Sequence, residues 1–163
     1  MLSRTFAFAV VVAVAHAHMC LISPAPRGGI PDSIDTPAAD ACGQTTGPCG
    51  NDVTVGHTAG VAQVGKPFTT TWIKNLDHFN SATPGNFAVA LAPRGSTTFM
   101  PLVQLADNDD PSLTLYSVTA NIPSSTKPGN YTLQAIYNTM NPNAPPQFYA
   151  CADIEVILAP SAK

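Results

Sequence analysis

The stretch Tyr149-Ala-Cys-Ala-Asp-Ile-Glu-Val-Ile-Leu158, near the end of the 163-residue chain, alternates between two kinds of side chain. Four of its even-numbered positions are apolar: Ala152, Ile154, Val156 and Leu158. Three of its odd-numbered positions carry a thiol or a carboxyl group: Cys151, Asp153 and Glu155. A period of two residues is typical of a β-strand with one face against a core. The stretch therefore predicts the last strand of a β-sheet protein.

Five earlier runs have a similar β-branched, aromatic or alternating character. They are 19–22, 68–73, 87–91, 113–122 and 131–137. Proline falls between these runs rather than inside them, as strands require, and no long stretch has the helical period of 3.6 residues. Short strands separated by turn residues predict an all-β protein with a single β-sandwich.

Between the first two runs lies a long segment, 27–66, rich in Gly, Pro, Asp, Ala and Thr. It shows little periodicity and contains no Phe, Tyr or Trp. We therefore predict a long loop region after the first strand. Loops of this length within a compact domain are usually functional or partly flexible.

The first 17 residues have the organisation of a secretory signal peptide. Arg4 precedes the apolar run 6–14, which is well short of the roughly 20 residues that a membrane span needs. Cleavage after Ala17 would leave one domain, 18–163, that begins with His18. Cleavage after Ala15 is an alternative, since Ala13-Val14-Ala15 is also a small-x-small site. We expect a protein that is secreted to the extracellular space and free of the membrane once the signal is removed.

The charge of the chain excludes some partners. After removal of Arg4, six Lys and Arg residues remain against ten acidic residues, a side-chain charge of about −4. A mildly acidic surface with scattered cations argues against nucleic acid and anionic lipid as partners. We expect a monomer.

The four cysteines, Cys20, Cys42, Cys49 and Cys151, predict two disulfides in an exported chain. The sequence alone permits three pairings. We favour Cys42–Cys49, which would close a turn containing Gly and Pro, with Cys20–Cys151 tying the first strand to the last. A zinc site is disfavoured because the spacing lacks paired C-x-x-C elements.

A terminal histidine brings its free amine and its imidazole to one point, where together they can chelate a metal ion. His78 follows Trp72 by six residues and lies just beyond a predicted strand, so it could meet the amino terminus at the edge of the sandwich. The His18 amine and the imidazoles of His18 and His78 would form a planar set of three nitrogens, which suits Cu(II). Binding must displace the proton of the amine and should weaken at acid pH.

Three stretches together resemble the histidine-brace lytic polysaccharide monooxygenases (LPMOs), specifically their chitin-binding type-4 branch. They are His18-Met-Cys-Leu-Ile-Ser-Pro24-Ala-Pro-Arg27, Trp72-x5-His78 and Pro146-Gln-Phe-Tyr-Ala-Cys-Ala-Asp-Ile154. The resemblance implies an immunoglobulin-like or fibronectin-III-like sandwich. It also implies oxidative cleavage of glycosidic bonds in a chitin- or cellulose-like polysaccharide, with one copper ion, an external electron donor, and oxygen or hydrogen peroxide.

Carried over to this chain, the resemblance makes His18 and His78 the copper ligands. Phe148 becomes the apolar group that fills an axial position, so these three residues are the candidate catalytic set. Gln147, and with less reason Gln44, would be polar neighbours of the metal. Phe79 and Tyr149 are the main candidates for contact with the polysaccharide, with Phe99 as a third, because the long loop offers no aromatic residue.

That missing aromatic surface leaves two other functions open. A non-catalytic module would use the same fold to bind chitin or another glycan. A copper-binding or copper-scavenging protein would keep the two histidines without oxidising polysaccharide. Met19, Met100 and Met140 would suit Cu(I), but their scatter favours core packing for the last two.

Two further motifs carry weaker signals. Asn130-Tyr-Thr132 is an N-glycosylation sequon at the entrance to a predicted strand. The acidic run 107–110 has the residue types of a calcium site but lacks the loop pattern, so a solvated turn is the simpler interpretation.

Overall fold

The computed structural model describes residues 18–51 and 54–159. The predicted signal peptide, 1–17, lies outside the described residues. Eight strands make up nearly all of the regular structure: β1 (His18–Ser23), β2 (Gly60–Gln63), β3 (Pro67–Leu76), β4 (Asn86–Pro93), β5 (Met100–Ala106), β6 (Thr114–Asn121), β7 (Gly129–Asn138) and β8 (Gln147–Ile157). A single 3₁₀ turn, Asp40–Cys42, interrupts the long loop, and the described residues contain no α-helix.

Two sheets pack face to face. One has the strand order β1-β3-β6 and the other has the order β2-β8-β7-β4-β5. Neighbouring strands are antiparallel except β2 and β8, which are parallel. The prediction of an all-β sandwich is therefore confirmed. No helix within the described ranges is both long and apolar enough to cross a membrane.

The two strands that the sequence did not predict, β2 and β5, lie at the two edges of the larger sheet. Strand β2 has only four residues, and β5 contains Pro101. An edge strand tolerates proline because one side of its backbone has no neighbour to accept a hydrogen bond from it. Neither strand has the alternating apolar pattern by which the strands between them could be predicted.

The core joins the two sheets through aromatic rings. Trp72 of β3 packs against Phe87 of β4 and Tyr116 of β6, with ring centroids 5.6 and 5.7 Å apart. Phe87 also contacts Tyr137 of β7 at 4.5 Å. Such pairs add to the large apolar area that each aromatic ring removes from water. Trp72 lies six residues before His78, so this cluster fixes the part of β3 that precedes the histidine.

Strand β8 shows the predicted alternation. Ala152, Ile154 and Val156 are fully buried in the core, and Glu155 on the other face is exposed. Cys151 and Asp153 share the face of Glu155 but are buried, because they bond to residues of the long loop. Leu158 does not continue this face, because the strand ends at Ile157 and 67% of Leu158 is exposed.

The predicted disulfide pairing is wrong. The bonds join Cys20 to Cys42 and Cys49 to Cys151. The core residues Met19 and Leu21 flank Cys20 on β1, so Cys20 points away from the opposite sheet. Cys151 likewise lies on the outer face of its own sheet, because its neighbour Ala152 faces the core. Each of the two cysteines therefore points out of the core toward the long loop, which supplies the partners Cys42 and Cys49.

The long loop closes the gap between β1 and β8. Its segment 43–48 runs between the two disulfides, so one end is attached to each sheet. The amide of Tyr149 donates to the Gln44 carbonyl at 2.8 Å, and the amide of Arg27 donates to the Cys151 carbonyl at 2.8 Å. These bonds pair the loop with the exposed backbone of β8 where β2 does not reach.

Candidate metal centre

The pairing of β1 with β3 brings His18 and His78 to the same end of the sandwich. His18 is the first residue of β1 and lies opposite Leu76, the last residue of β3. His78 follows two residues later. Both are buried, with 1% of His18 and 7% of His78 exposed. Antiparallel pairing thus places the start of one strand beside the turn that follows the other.

Phe148, the second residue of β8, packs against both histidines. Its ring centroid lies 6.2 Å from that of His18 and 6.4 Å from that of His78, with interplanar angles of 30° and 12°. The ring itself is 1% exposed. Three sequence-distant aromatic residues, from β1, the turn after β3 and β8, are therefore assembled at one site.

The chemistry of this donor set fits copper. Nδ1 of His18 and Nε2 of His78 are both buried. Nδ1 is the imidazole nitrogen that can close a six-membered chelate ring together with the main-chain nitrogen of the same residue. The described residues contain no group of three or more His, Cys, Asp or Glu side chains arranged to bind a metal. A third donor would therefore have to come from the main chain, and the His18 amine would supply it after cleavage at Ala17.

Gly43 holds the ring of His18 from the other side. A Cβ atom on Gly43 would lie 2.6 Å from Nε2 and 2.7 Å from Cδ2 of His18. Real Cβ atoms essentially never approach another atom so closely. Only glycine therefore lets the loop backbone pack against this edge of the imidazole, which leaves Nδ1 as the nitrogen on the side of the main-chain amine.

The turn around His78 is fixed by its neighbours. The Asp77 carboxylate accepts a hydrogen bond from the amide of Phe79 at 2.9 Å, which closes an Asx turn with His78 at its centre. The side-chain amide of Asn141 donates to the His78 carbonyl at 3.0 Å. The sequence analysis missed Asp77 and Asn141, because short polar residues in turns carry no distinctive spacing.

Gln147 lies on the opposite side of β8 from Phe148, since neighbouring residues of a strand alternate between faces. Its amide donates to Asn138 Oδ1 at 2.7 Å, and its carbonyl oxygen accepts from the Tyr149 hydroxyl. Gln147 therefore takes part in a chain of surface hydrogen bonds. Gln44 supports the loop, since its side-chain oxygen accepts from the Asn51 amide at 3.1 Å.

The two main candidates for sugar contact, Phe79 and Tyr149, are half-buried. A Cβ atom on Gly47 would lie 3.2 Å from the Tyr149 ring, so the loop covers part of that ring. Of the three methionines, Met19 is the buried one at 1% exposure, whereas 38% of Met100 and 59% of Met140 are exposed. The expected core packing of Met100 and Met140 is therefore wrong.

Arg27 and Asp153 join two of the stretches that carry the family resemblance. The guanidinium of Arg27 makes two bonds to the carboxylate, at 3.0 and 2.8 Å, and Gly56 donates to it at 2.7 Å. Burial opposes the charge of Asp153, but these hydrogen bonds and the nearby positive charges outweigh it and lower the pKa of the carboxyl. The pair fixes the start of the long loop to β8.

The other two motifs of the sequence have distinct surroundings. Asn130 is exposed on β7, but the hydroxyl of Thr132 in the same sequon is buried and lies 3.0 Å from Arg27 Nη2. In the acidic run 107–110, Asp107 is buried rather than solvated, and it binds the ammonium group of Lys74 at 2.7 Å. A lysine thus contacts the carboxylate that the sequence suggested for calcium.

Comparison with solved structures gives likeness at low identity. A chitin-binding domain from Burkholderia pseudomallei is 14% identical, with 86% of this chain and 100% of that chain matched at a TM-score of 0.52. The chain has the fold of that domain. At the level of the fold, the resemblance predicted from the sequence is confirmed.

Several of the similar structures are named as LPMOs, and two of them show the extent of the match. One, from Kitasatospora papulosa, is 14% identical over 64% of this chain and 54% of that chain, with a TM-score of 0.39. The extended catalytic domain of LPMO9A from H. jecorina is 17% identical over 77% of this chain and 62% of that chain, with a TM-score of 0.48. The chain thus spans less than two thirds of either structure. No family model and no curated protein matches the chain.

Proposed function

We propose that this chain, once cleaved after Ala17, is a secreted mononuclear copper protein that oxidatively cleaves glycosidic bonds in chitin- or cellulose-like polysaccharide. The observation that carries the proposal is the packing of Phe148 against both His18 and His78. This arrangement has two imidazoles and one apolar ring at one end of a sandwich. The fold shared with a chitin-binding domain supports a polysaccharide partner.

The amine and Nδ1 of His18, together with Nε2 of His78, would hold one copper ion. When bound, copper supplies one-electron redox chemistry, with an external electron donor and with oxygen or hydrogen peroxide as co-substrate. The ring of Phe148 presents only carbon and hydrogen, so it keeps water and stronger ligands away from the side of the site that it covers. Gly43 fixes the orientation of the His18 imidazole, and the Asx turn of Asp77 fixes that of His78.

The first test is copper titration of protein that begins at His18. We expect tight one-to-one binding, lost in His78→Ala because one of the two imidazole ligands is removed. His57→Ala is the matched control, since His57 is exposed on the long loop and far from the donor set in sequence. Equal affinity in the wild type and in His78→Ala would remove the proposed site. N-terminal sequencing of the secreted protein should read His18 first.

The second test is activity. Copper-loaded protein, incubated with chitin or cellulose and ascorbate, should release oxidised oligosaccharides, and His78→Ala should release none. Copper binding without such products would contradict the catalytic proposal.

Two other functions have support of their own. Copper scavenging is favoured by the lack of any Phe, Tyr or Trp in the loop 27–66 and by the half-burial of Phe79 and Tyr149. It predicts tight copper binding without oxidised products. A non-catalytic glycan module is favoured by the shared fold of the chitin-binding domain. It predicts retention on chitin that chelators do not change.

A further inference from the structure

Lys74 carries an ammonium group that is buried inside the sandwich. It follows Trp72 on β3, and its side chain is 0% exposed. Its Nζ lies 2.7 Å from Asp107 Oδ1, 2.6 Å from Asp77 Oδ1 and 2.6 Å from the carbonyl oxygen of Asp110. An ammonium group has three protons to donate. Each proton of Lys74 therefore has one acceptor: one lies in the turn after β3 and two lie in the loop between β5 and β6.

The contact between Lys74 and Asp77 leads to the turn of His78. The same oxygen of Asp77 accepts from Lys74 and from the amide of Phe79, so the ammonium holds the residue that closes the Asx turn. The Asp77 amide also donates to Ser112 Oγ at 2.9 Å. The position of this turn therefore depends on Lys74 rather than on the local sequence alone.

The contact between Lys74 and Asp107 leads to His78 by another route. The hydroxyl of Tyr137 donates to Asp107 Oδ2 at 2.5 Å and accepts a hydrogen bond from the backbone of His78. Lys74, Asp107 and Tyr137 thus form a chain of bonds that ends at the His78 amide.

The cost of this arrangement argues against a purely stabilising role. Burying charges carries a large desolvation penalty, and replacing a buried ion pair with apolar residues of similar volume is often neutral or stabilising. The neighbouring inward position on β3, Trp72, shows that this layer can be filled by an apolar side chain. The network instead ties the turn carrying His78 to β3, to the loop between β5 and β6, and to β7.

We propose that Lys74 is a positioning residue for the metal site. Its ammonium, acting through Asp77 and through Asp107 and Tyr137, sets the backbone of His78 at the place where its imidazole meets that of His18. The inference rests on the proposed function for the metal, but the hydrogen bonds it invokes exist without one. Metal sites tolerate errors of only about 0.2 Å in ligand distance, so a small shift of this turn is enough to matter.

The decisive comparison is Tyr137→Phe against Tyr116→Phe. Both changes remove one hydroxyl from the same network, but Tyr116 bonds to the carboxylate of Asp110 at 2.9 Å and has no bond to His78. In Tyr137→Phe we expect copper affinity to fall roughly 10- to 100-fold, as is typical when the support of a metal ligand is removed. In Tyr116→Phe we expect affinity close to that of the wild type.

A second measurement needs no metal. Hydrogen exchange of the His78 amide in the apoprotein, observed by NMR, should accelerate in Tyr137→Phe and stay slow in Tyr116→Phe. Equal effects of the two variants, or no effect of Tyr137→Phe, would overturn the positioning role. If the wild type binds no copper, the proposed function fails, and amide exchange still decides whether the network holds His78.

Asp77→Asn provides a variant that preserves the fold, because asparagine retains an oxygen for the amide of Phe79 and loses only the charge facing Lys74. We expect weaker copper binding and faster exchange at His78. Asp109→Asn is its control, because Asp109 is exposed and its left-handed backbone, with φ of 65°, accepts asparagine. Equal copper affinity in these two variants would count against Lys74 as the positioning residue.

Discussion

The contact between Gly43 and His18 makes a single methyl group a sharp probe of the metal site. In Gly43→Ala, the new Cβ would lie 2.6 Å from Nε2 of His18, whereas ordinary contact begins at 3.4 Å. The imidazole or the loop must therefore move by about 0.8 Å. The backbone of Gly43 does not resist the change, because its φ of −89° is allowed for alanine.

The size of the effect follows from this displacement. A shift of that size exceeds the tolerance of about 0.2 Å in metal–ligand distance. Overpacking a well-packed site costs roughly 1–3 kcal/mol. In the apoprotein the imidazole can move away from the new methyl group, and returning it to its place for copper would cost this energy. Since about 1.4 kcal/mol corresponds to a tenfold change in Kd, the copper affinity of Gly43→Ala should fall by roughly 5- to 150-fold.

The assay is copper titration beside urea unfolding of the apoprotein, with Gly60→Ala as the matched control. A Cβ on Gly60 would have its nearest neighbours at 3.5, 3.6 and 3.7 Å, all ordinary contacts. We expect the control to bind copper as the wild type does. Gly43→Ala with unchanged affinity and unchanged stability would show that the loop does not constrain His18, and would refute the reasoning.

Three further predictions concern the rest of the fold. Asp153→Ala leaves the buried Arg27 without its carboxylate, so the free energy of unfolding at neutral pH should fall by about 3–5 kcal/mol. Folding lowers the pKa of Asp153, so the extra stability of the wild type should be complete above about pH 4 and should shrink as the pH falls further. Replacing Cys49 and Cys151 with serine together opens a loop of 102 residues and should lower the unfolding free energy by about 2–5 kcal/mol in urea titration. Asn130→Gln should remove any mass shift that an amidase causes in protein secreted from a glycosylating host; a shift that persists would place the glycan elsewhere.

Much of the fold follows from the sequence because buried strands have a simple pattern. The run 149–158 alternates since one face of β8 meets the core, and Ala152, Ile154 and Val156 on that face are buried there. The edge strands β2 and β5 have no such pattern. An edge strand pairs with a neighbour on one side only, so some of its backbone amides need no hydrogen-bond acceptor in the sheet and its sequence is less restricted. The predicted disulfide pairing was wrong because it did not consider which face of its strand each cysteine occupies. Cys20 and Cys151 each stand between core residues, so the alternation already directs them outward.

The two histidines and Phe148 could be found from the sequence, because a resemblance links three separated stretches. Their supports could not be found in that way, since Gly43, Asp77 and Asn141 act through contacts that only the folded chain creates. Lys74 is different. Phe68, Thr70 and Trp72 fall on one face of the predicted strand, and continuing the alternation places Lys74 on the same inward face. A buried lysine has to be paired with an acceptor, and the structure shows that Asp107, in the acidic run 107–110, is one of its partners.

The composition of the long loop has a structural cause that bears on function. Residues 43–48 read Gly-Gln-Thr-Thr-Gly-Pro and span from the disulfide on β1 to the disulfide on β8. At one end Gly43 packs on His18, and at the other Gly47 packs on Tyr149, the residue after Phe148. Backbone contact at both ends requires small side chains, so an aromatic residue at either glycine would displace the groups that form the site. This part of the loop therefore supports the proposed metal ligands, and sugar contacts have to come from other residues at that end of the sandwich.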